Sequence, residues 1–213
     1  MAEDGKEIEG EKMEVETNKD EVTKIPGSEK NANLLKKQPG ILSVYTGNGK
    51  GKTTAALGMV YRALGWDLPV SVIQFVKGKW RTGERILGER WSEQYPEQLI
   101  YKVMGKGFTW DSDDLSRDKQ AAIQAWETAA NLINKGLHHL VVLDEITYVI
   151  NYGFVSEQAV IDVLEQRPAH VNVVVTGRNC PQKIMDLADL VTEMAVVKHP
   201  YKKGRPALRG VDF

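Results

Sequence analysis

Lys52 and Thr53 stand together near the end of the run Thr46-Gly-Asn-Gly-Lys-Gly-Lys-Thr-Thr54, and each residue type has a use against a phosphate chain. The lysine carries a full positive charge, and the threonine offers a hydroxyl to a magnesium ion. Glycines within the run free the backbone to curl with its N–H groups pointing inward. Gly47, Asn48, Gly49, Lys50, Gly51, Lys52, Thr53 and Thr54 therefore make a candidate triphosphate cradle. The common spacing is glycine, four residues, then Gly-Lys-Ser/Thr. Counted back from Gly51, that first position is Thr46, and the extra glycines are Gly47 and Gly49. The expectation is a turn tighter or differently aimed than the usual one.

Leu140-Val-Val-Leu-Asp-Glu145 is an apolar stretch ending in two acids. Beside a phosphate loop, a strand-end carboxylate can hold magnesium opposite the loop hydroxyl. Asp144 and Glu145 thus join Thr53 as candidate metal ligands, with a helix cap or a surface acid pair as the plainer account. Which acid meets the metal stays open, and Glu145 could instead orient a water for hydrolysis. Thr176-Gly-Arg178 ends another apolar stretch with an arginine able to grip phosphate through two bonds or simply to face solvent. Gly105-Lys-Gly-Phe-Thr-Trp110 offers two aromatics on a glycine-bearing loop, either a surface for a flat ligand or a loop pinned to the core. Lys77–Glu84 reads as a basic rim of a site more readily than as a nucleic-acid contact. Lys198–Arg205 is a basic segment, solvated or folded over an anionic ligand. The four histidines show no metal-ligand spacing, Cys180 has no base beside it, and no nucleophile signature such as Gly-x-Ser-x-Gly appears. Either phosphoryl transfer is the reaction or the reactive centre arrives with the other substrate.

These groups need a frame, and the chain alternates apolar runs with helical periodicity. Strands are expected at Ile41–Tyr45, Val70–Val76, Leu99–Met104, Leu140–Leu143, Val171–Thr176 and Val191–Val197. Helices are expected from the glycine turn to about Leu64, over Asp114 to about Asn134, from a Ser156 cap to about Gln166, and over Pro181–Ala188. The alternation predicts an α/β fold with a mostly parallel sheet and helices on both faces. In such sheets ligands sit at the carboxyl ends of the strands, which is where the glycine loop, Asp144-Glu145, Gly105–Trp110 and Thr176–Arg178 all fall.

A chain of 213 residues suits one domain with a substantial core. A net charge of −1 gives no electrostatic case for nucleic acid. No stretch approaches the roughly 18 apolar residues of a membrane helix, and no signal peptide is evident. The single cysteine points to a reducing, cytoplasmic setting. Residues 1–37 are rich in Glu, Asp and Lys and hold no aromatic residue. They read as a flexible acidic tail, with a short docking helix conceivable near Asn31–Leu35, ahead of a folded domain at 38–213.

The assembled motifs resemble those of the ATP:corrinoid adenosyltransferases. The shared features are Thr46–Ala56, Arg62-Ala-Leu-Gly65, Val72-Ile-Gln-Phe-Val-Lys-Gly78, Gly83-Glu84, Gly107-Phe-Thr-Trp110, Leu143-Asp-Glu-Ile-Thr-Tyr148, Arg167-Pro168, Val175-Thr-Gly-Arg178, Asp186-Leu-Ala-Asp189 and Val197-Lys-His199, in order from about residue 41 onward. The displaced first glycine of the loop belongs to that family's pattern.

The resemblance implies a single-domain P-loop NTPase-like (RecA-like) fold. It also implies attack of a corrinoid's Co(I) on the C5′ carbon of ATP, with triphosphate leaving. Gly47 to Thr54 would hold the phosphates, with Lys52, Thr53 and Glu145 catalytic. Thr53, Glu145 and Asp144 would hold Mg2+, and Arg62 and Arg178 would line the nucleotide site. Phe108 and Trp110 would lie against the lower face of the corrin. An electron-donating flavoprotein reductase and a homodimer are implied as partners. Members often carry a basic leading segment that can close over the site; the acidic residues 1–37 depart from that. An ordinary ATPase or kinase on the same fold, with Glu145 activating water, and a non-catalytic binding module are the competing readings.

Overall fold

The computed structural model describes residues 39–76, 81–104 and 115–213. The tail expected at 1–37 and its docking helix lie outside them. Within the described residues the order is β1 (Leu42–Thr46), α1 (Lys52–Leu64), β2 (Val70–Gln74), α2 (Gly83–Gln94), β3 (Leu99–Val103), α3 (Leu115–Lys135) and β4 (Leu140–Asp144). Then follow α4 (Ile146–Asn151), α5 (Glu157–Glu165), β5 (Asn172–Thr176), α6 (Gln182–Leu187), β6 (Leu190–Glu193) and a 3-10 turn at Pro200–Lys203.

The strands form one six-stranded sheet in the order β3-β2-β4-β5-β1-β6, and all its pairings are parallel. Alternate residues of each central strand face opposite sides. Val70, Val72, Leu140, Val142 and Val174 pack with Ala56, Val60 and Ala63 of α1. Ile73, Val141, Leu143, Val173 and Val175 pack on the other face with Ala125, Trp126, Ala129 and Ile133 of α3, Val149 of α4, Val160 and Leu164 of α5, and Ile184 of α6. Burial on both faces is why β4 and β5 read as unbroken apolar runs.

The sheet and four expected helices are present; two further helices, α2 and α4, go beyond the sequence expectation. In α2 only Gly88 is buried, so no apolar stripe marks it in sequence. Helix α4 is six residues long, shorter than the window in which periodicity registers. The last strand, expected over Val191–Val197, ends at Glu193. Beyond it the backbone leaves the ladder to meet the glycine loop.

Candidate active site

The glycine loop explains its own unusual spacing. Gly49 N–H donates to the Met194 carbonyl at 2.6 Å, so the loop lies edge-on against the chain leaving β6. A Cβ on Gly47 would sit 2.7 Å from the Met194 oxygen, and one on Gly49 would sit 2.6 Å from it. Gly47 also takes φ 93°, a region L side chains avoid. Thr46, where a glycine is commoner, uses its side chain instead: its Oγ1 accepts the Cys180 N–H at 3.2 Å, tying β1 to the loop after β5.

Gly51, at φ 111°, turns the chain into α1, whose first N–H groups lack intrahelical partners and face outward at the loop. Lys52 is 6% exposed. Its Nζ donates to the carbonyls of Gly47 and Gly49, both at 2.8 Å, so the ammonium is held under the loop. Burial lowers its pKa, with Glu145 opposing, Arg178 adding to the shift and Asp144 opposing.

Opposite the loop, Asp144 closes β4 and is 1% exposed. Its Oδ1 accepts the hydroxyls of Thr53 at 3.0 Å and Thr176 at 2.8 Å. Its Oδ2 accepts the Gln74 amide at 2.9 Å. Glu145 follows with φ 62°, a left-handed residue at the start of α4, and its N–H donates to Thr176 Oγ1 at 2.9 Å. The Thr53, Asp144 and Glu145 oxygens form a hard donor set of the kind magnesium accepts beside phosphates. No group of three or more His, Cys, Asp or Glu is poised to hold a metal by itself among the described residues.

Arg178 reaches the site because α4 holds its backbone. Thr147 Oγ1 donates to the Arg178 carbonyl at 2.7 Å, and Asn151 Nδ2 donates to the Asn179 carbonyl at 3.2 Å. Gly177 is required between them, since a Cβ there would fall 1.9 Å from Thr147 Oγ1.

A cavity of about 740 Å³ brings together Gly49 to Thr54, Glu145 and Arg178. It also includes Glu84, from the loop expected as a basic rim, and His199, from the basic segment expected to be solvated or folded over an anion. Two further parts had no individual role in the sequence, Tyr148 and the stretch Gly210–Phe213. Burial, then Glu145, raises the Tyr148 pKa, so its phenol stays protonated. His199 Nδ1 accepts the Tyr201 N–H at 3.1 Å, which leaves its other ring nitrogen to carry the proton of the neutral ring. Asp212 forms an ion pair with Lys50 of the loop and accepts the Leu208 N–H at 2.8 Å; both bonds, Lys50 first, hold its carboxyl below the usual range. Glu84, Tyr148 and His199 fall in motifs quoted above, which was their available signal; Gly210–Phe213 had none.

Arg62 is not part of this assembly. It lies in the last turn of α1 and lines a separate cavity of about 200 Å³ with Trp66, His139 and Asn172, at the amino edge of the sheet. Phe108 and Trp110, and Lys77–Gly78, lie outside the described residues. Cys180 is buried and its thiol is pushed up to about 12, by burial and then by Glu157.

The model of the family described as ATP:corrinoid adenosyltransferase BtuR/CobO/CobP matches residues 38–213. A corrinoid adenosyltransferase of Pseudomonas aeruginosa is 45% identical over 174 residues, covering 82% of this chain and 84% of the relative. Corrinoid adenosyltransferase CobA of Salmonella typhimurium is 42% identical, covering 82% and 86%. A KaiC-like protein of Pyrococcus horikoshii, 18% identical, superposes with a TM-score of 0.41 over 73% of this chain and 72% of that one.

Proposed function

The chain belongs to the ATP:corrinoid adenosyltransferase family, and on that premise we propose how its site carries out adenosyl transfer from ATP to a corrinoid. The observation that carries the reading is an asymmetry. The 740 Å³ cavity gathers groups suited to gripping phosphates, while the chain's one thiol is buried and kept protonated. In the reaction of this family the grip would serve a leaving group, and the nucleophile would come with the substrate.

The Co(I) corrinoid supplies the electron pair that forms the cobalt–carbon bond to C5′ of ATP. The C5′–oxygen bond breaks, and its electrons leave on the triphosphate. The protein's share is alignment and charge stabilisation. The loop N–H groups from Gly49 to Thr54 would hold the phosphates, with Gly47 and Asn48 completing the turn. Lys52 would exchange its carbonyl partners for phosphate oxygens, and Arg178 would approach from the β5 side. Thr53, Asp144 and Glu145 would hold Mg2+, which spreads the charge of the departing triphosphate. Phe108 and Trp110 would line the corrin face. We assign the site an electron-donating flavoprotein reductase and a homodimeric assembly as partners, in the reducing cytoplasm that Co(I) and an unpaired cysteine favour.

The products test this. The protein is incubated with magnesium-ATP and a reduced corrinoid, and the phosphates are resolved by phosphorus NMR. Triphosphate with a light-sensitive alkylated corrinoid is the expected result. ADP and phosphate formed without corrinoid would overturn it in favour of an ATPase using Glu145 to activate water.

A further inference from the structure

We propose that Gln74 and Thr176 are positioning residues for the magnesium-nucleotide, acting through Asp144; this rests on the metal-site reading above. The argument is one of hydrogen direction. Glu145 N–H donates to Thr176 Oγ1 at 2.9 Å. That hydroxyl has one proton, and with its oxygen engaged as an acceptor the proton goes to Asp144 Oδ1, 2.8 Å away. On the other side, Gln74 Nε2 donates to Asp144 Oδ2 at 2.9 Å. The carboxylate is pinned at both oxygens by neighbouring strands, β2 on one side and β5 on the other.

A pinned carboxylate fixes Thr53. The Thr53 hydroxyl donates to Asp144 Oδ1 at 3.0 Å, so its proton points inward and its lone pairs face the cavity. A threonine turned this way is ready to ligate a cation; a free rotor is not. Asp144 works on the metal site largely by orienting Thr53, and Gln74 and Thr176 make that orientation permanent.

Gln74 shows why the arrangement is more than packing. It is fully buried, and its Oε1 has no hydrogen-bond partner among the described residues. A leucine or methionine would fill the same volume without that penalty. The amide is worth having at this position for its N–H bond to Asp144. Swapping its oxygen and nitrogen would set two acceptors against each other, which fixes its orientation.

The test measures Mn2+ uptake by electron paramagnetic resonance on the full chain with ATP present, for wild type, Gln74→Met, Thr176→Val and Thr176→Ser. Partners of metal ligands typically change metal affinity about 10- to 100-fold. Thr176→Val and Gln74→Met should each weaken Mn2+ about tenfold. Thr176→Ser, which keeps the hydroxyl, should stay within about threefold. ATP affinity in EDTA should be unchanged, and the Mg2+ needed for half-maximal transfer should rise while kcat at saturating Mg2+ recovers. Mn2+ affinities within twofold of wild type in Gln74→Met and Thr176→Val, with only the melting temperature lowered, would overturn the proposal. Gln74→Met decides alone if Thr176→Val fails to fold. Wild-type protein that takes up no Mn2+ with ATP would instead bring down the metal-site reading itself, and this inference with it.

Discussion

Arg178 lines the large cavity beside the phosphate loop, whereas Arg62 lines a small one at the opposite edge of the same sheet with His139 and Asn172. Both edges carry polar side chains, and the difference lies in what those side chains already hold. At the amino edge they splice the backbone. Asn172 Nδ2 donates to the His139 carbonyl at 2.8 Å and its Oδ1 accepts the Ile41 N–H at 3.0 Å, while a ring nitrogen of His170 meets the Gly136 carbonyl at 2.9 Å. At the carboxyl edge Thr46, Thr147 and Asn151 splice backbone in the same way, but Thr53, Glu145 and Arg178 end on the cavity. There strands give way to helix N-termini, and the residues with positive φ include Gly47, Gly51, Glu145 and Gly177. Residue type alone does not separate a splice from a site; the direction of the strand does.

The comparison is broken or sharpened by substitution. The largest effect is expected at Lys52: Lys52→Ala should lower kcat/KM by about 10³-fold, measured as triphosphate release, since it removes the buried cation of the loop. Near-normal turnover would refute its role. Arg178→Ala should cost about 10- to 100-fold in kcat/KM for ATP, against about twofold or less for the exposed Arg62→Ala. Equal losses would erase the distinction between the edges.

The amino edge should speak through stability instead. Burial holds His138 and His139 below the ordinary histidine pKa, with His170 adding to the shift at His139. A depressed imidazole costs nothing while both states are neutral. As the pH falls below about 6.5 the unfolded chain takes up protons first. The melting temperature should therefore drop by a few degrees between pH 7.5 and pH 5.5, and His139→Gln should flatten that slope by scanning fluorimetry. The smallest effect is expected at Asp212, whose bond to Lys50 is half-exposed on the lysine side. Asp212→Asn should free Lys50 for phosphate and lower KM for ATP about two- to threefold, less at high salt. A rise in KM would show that the ion pair builds the site.

Much of the frame was legible because its causes are local. Continuous apolar runs mark β4 and β5, and the Ser156 cap marks α5, its side chain accepting from the N–H of Ala159. The phosphate loop and the acids after β4 were legible as motifs. What was not legible depends on distant partners. The Asp212–Lys50 pair spans 162 positions, and Gln74 meets Asp144 across 70. No window of sequence shows either. The resemblance implies Arg62 at the nucleotide, yet Arg62 lies in the last turn of α1 (Lys52–Leu64), and at about 1.5 Å per residue that turn sits about 15 Å from the loop at the helix start.

The position of β1 in the sheet has a consequence for the order in which the protein is made. Its neighbours are β5 and β6, the last two strands in sequence, although the loop it carries comes early. A growing chain thus synthesises Gly47–Thr54 long before anything exists to hold them. Nucleotide grip should appear only after residues through Glu193 have left the ribosome. In refolding it should track the slowest phase, because pairings this distant in sequence form late.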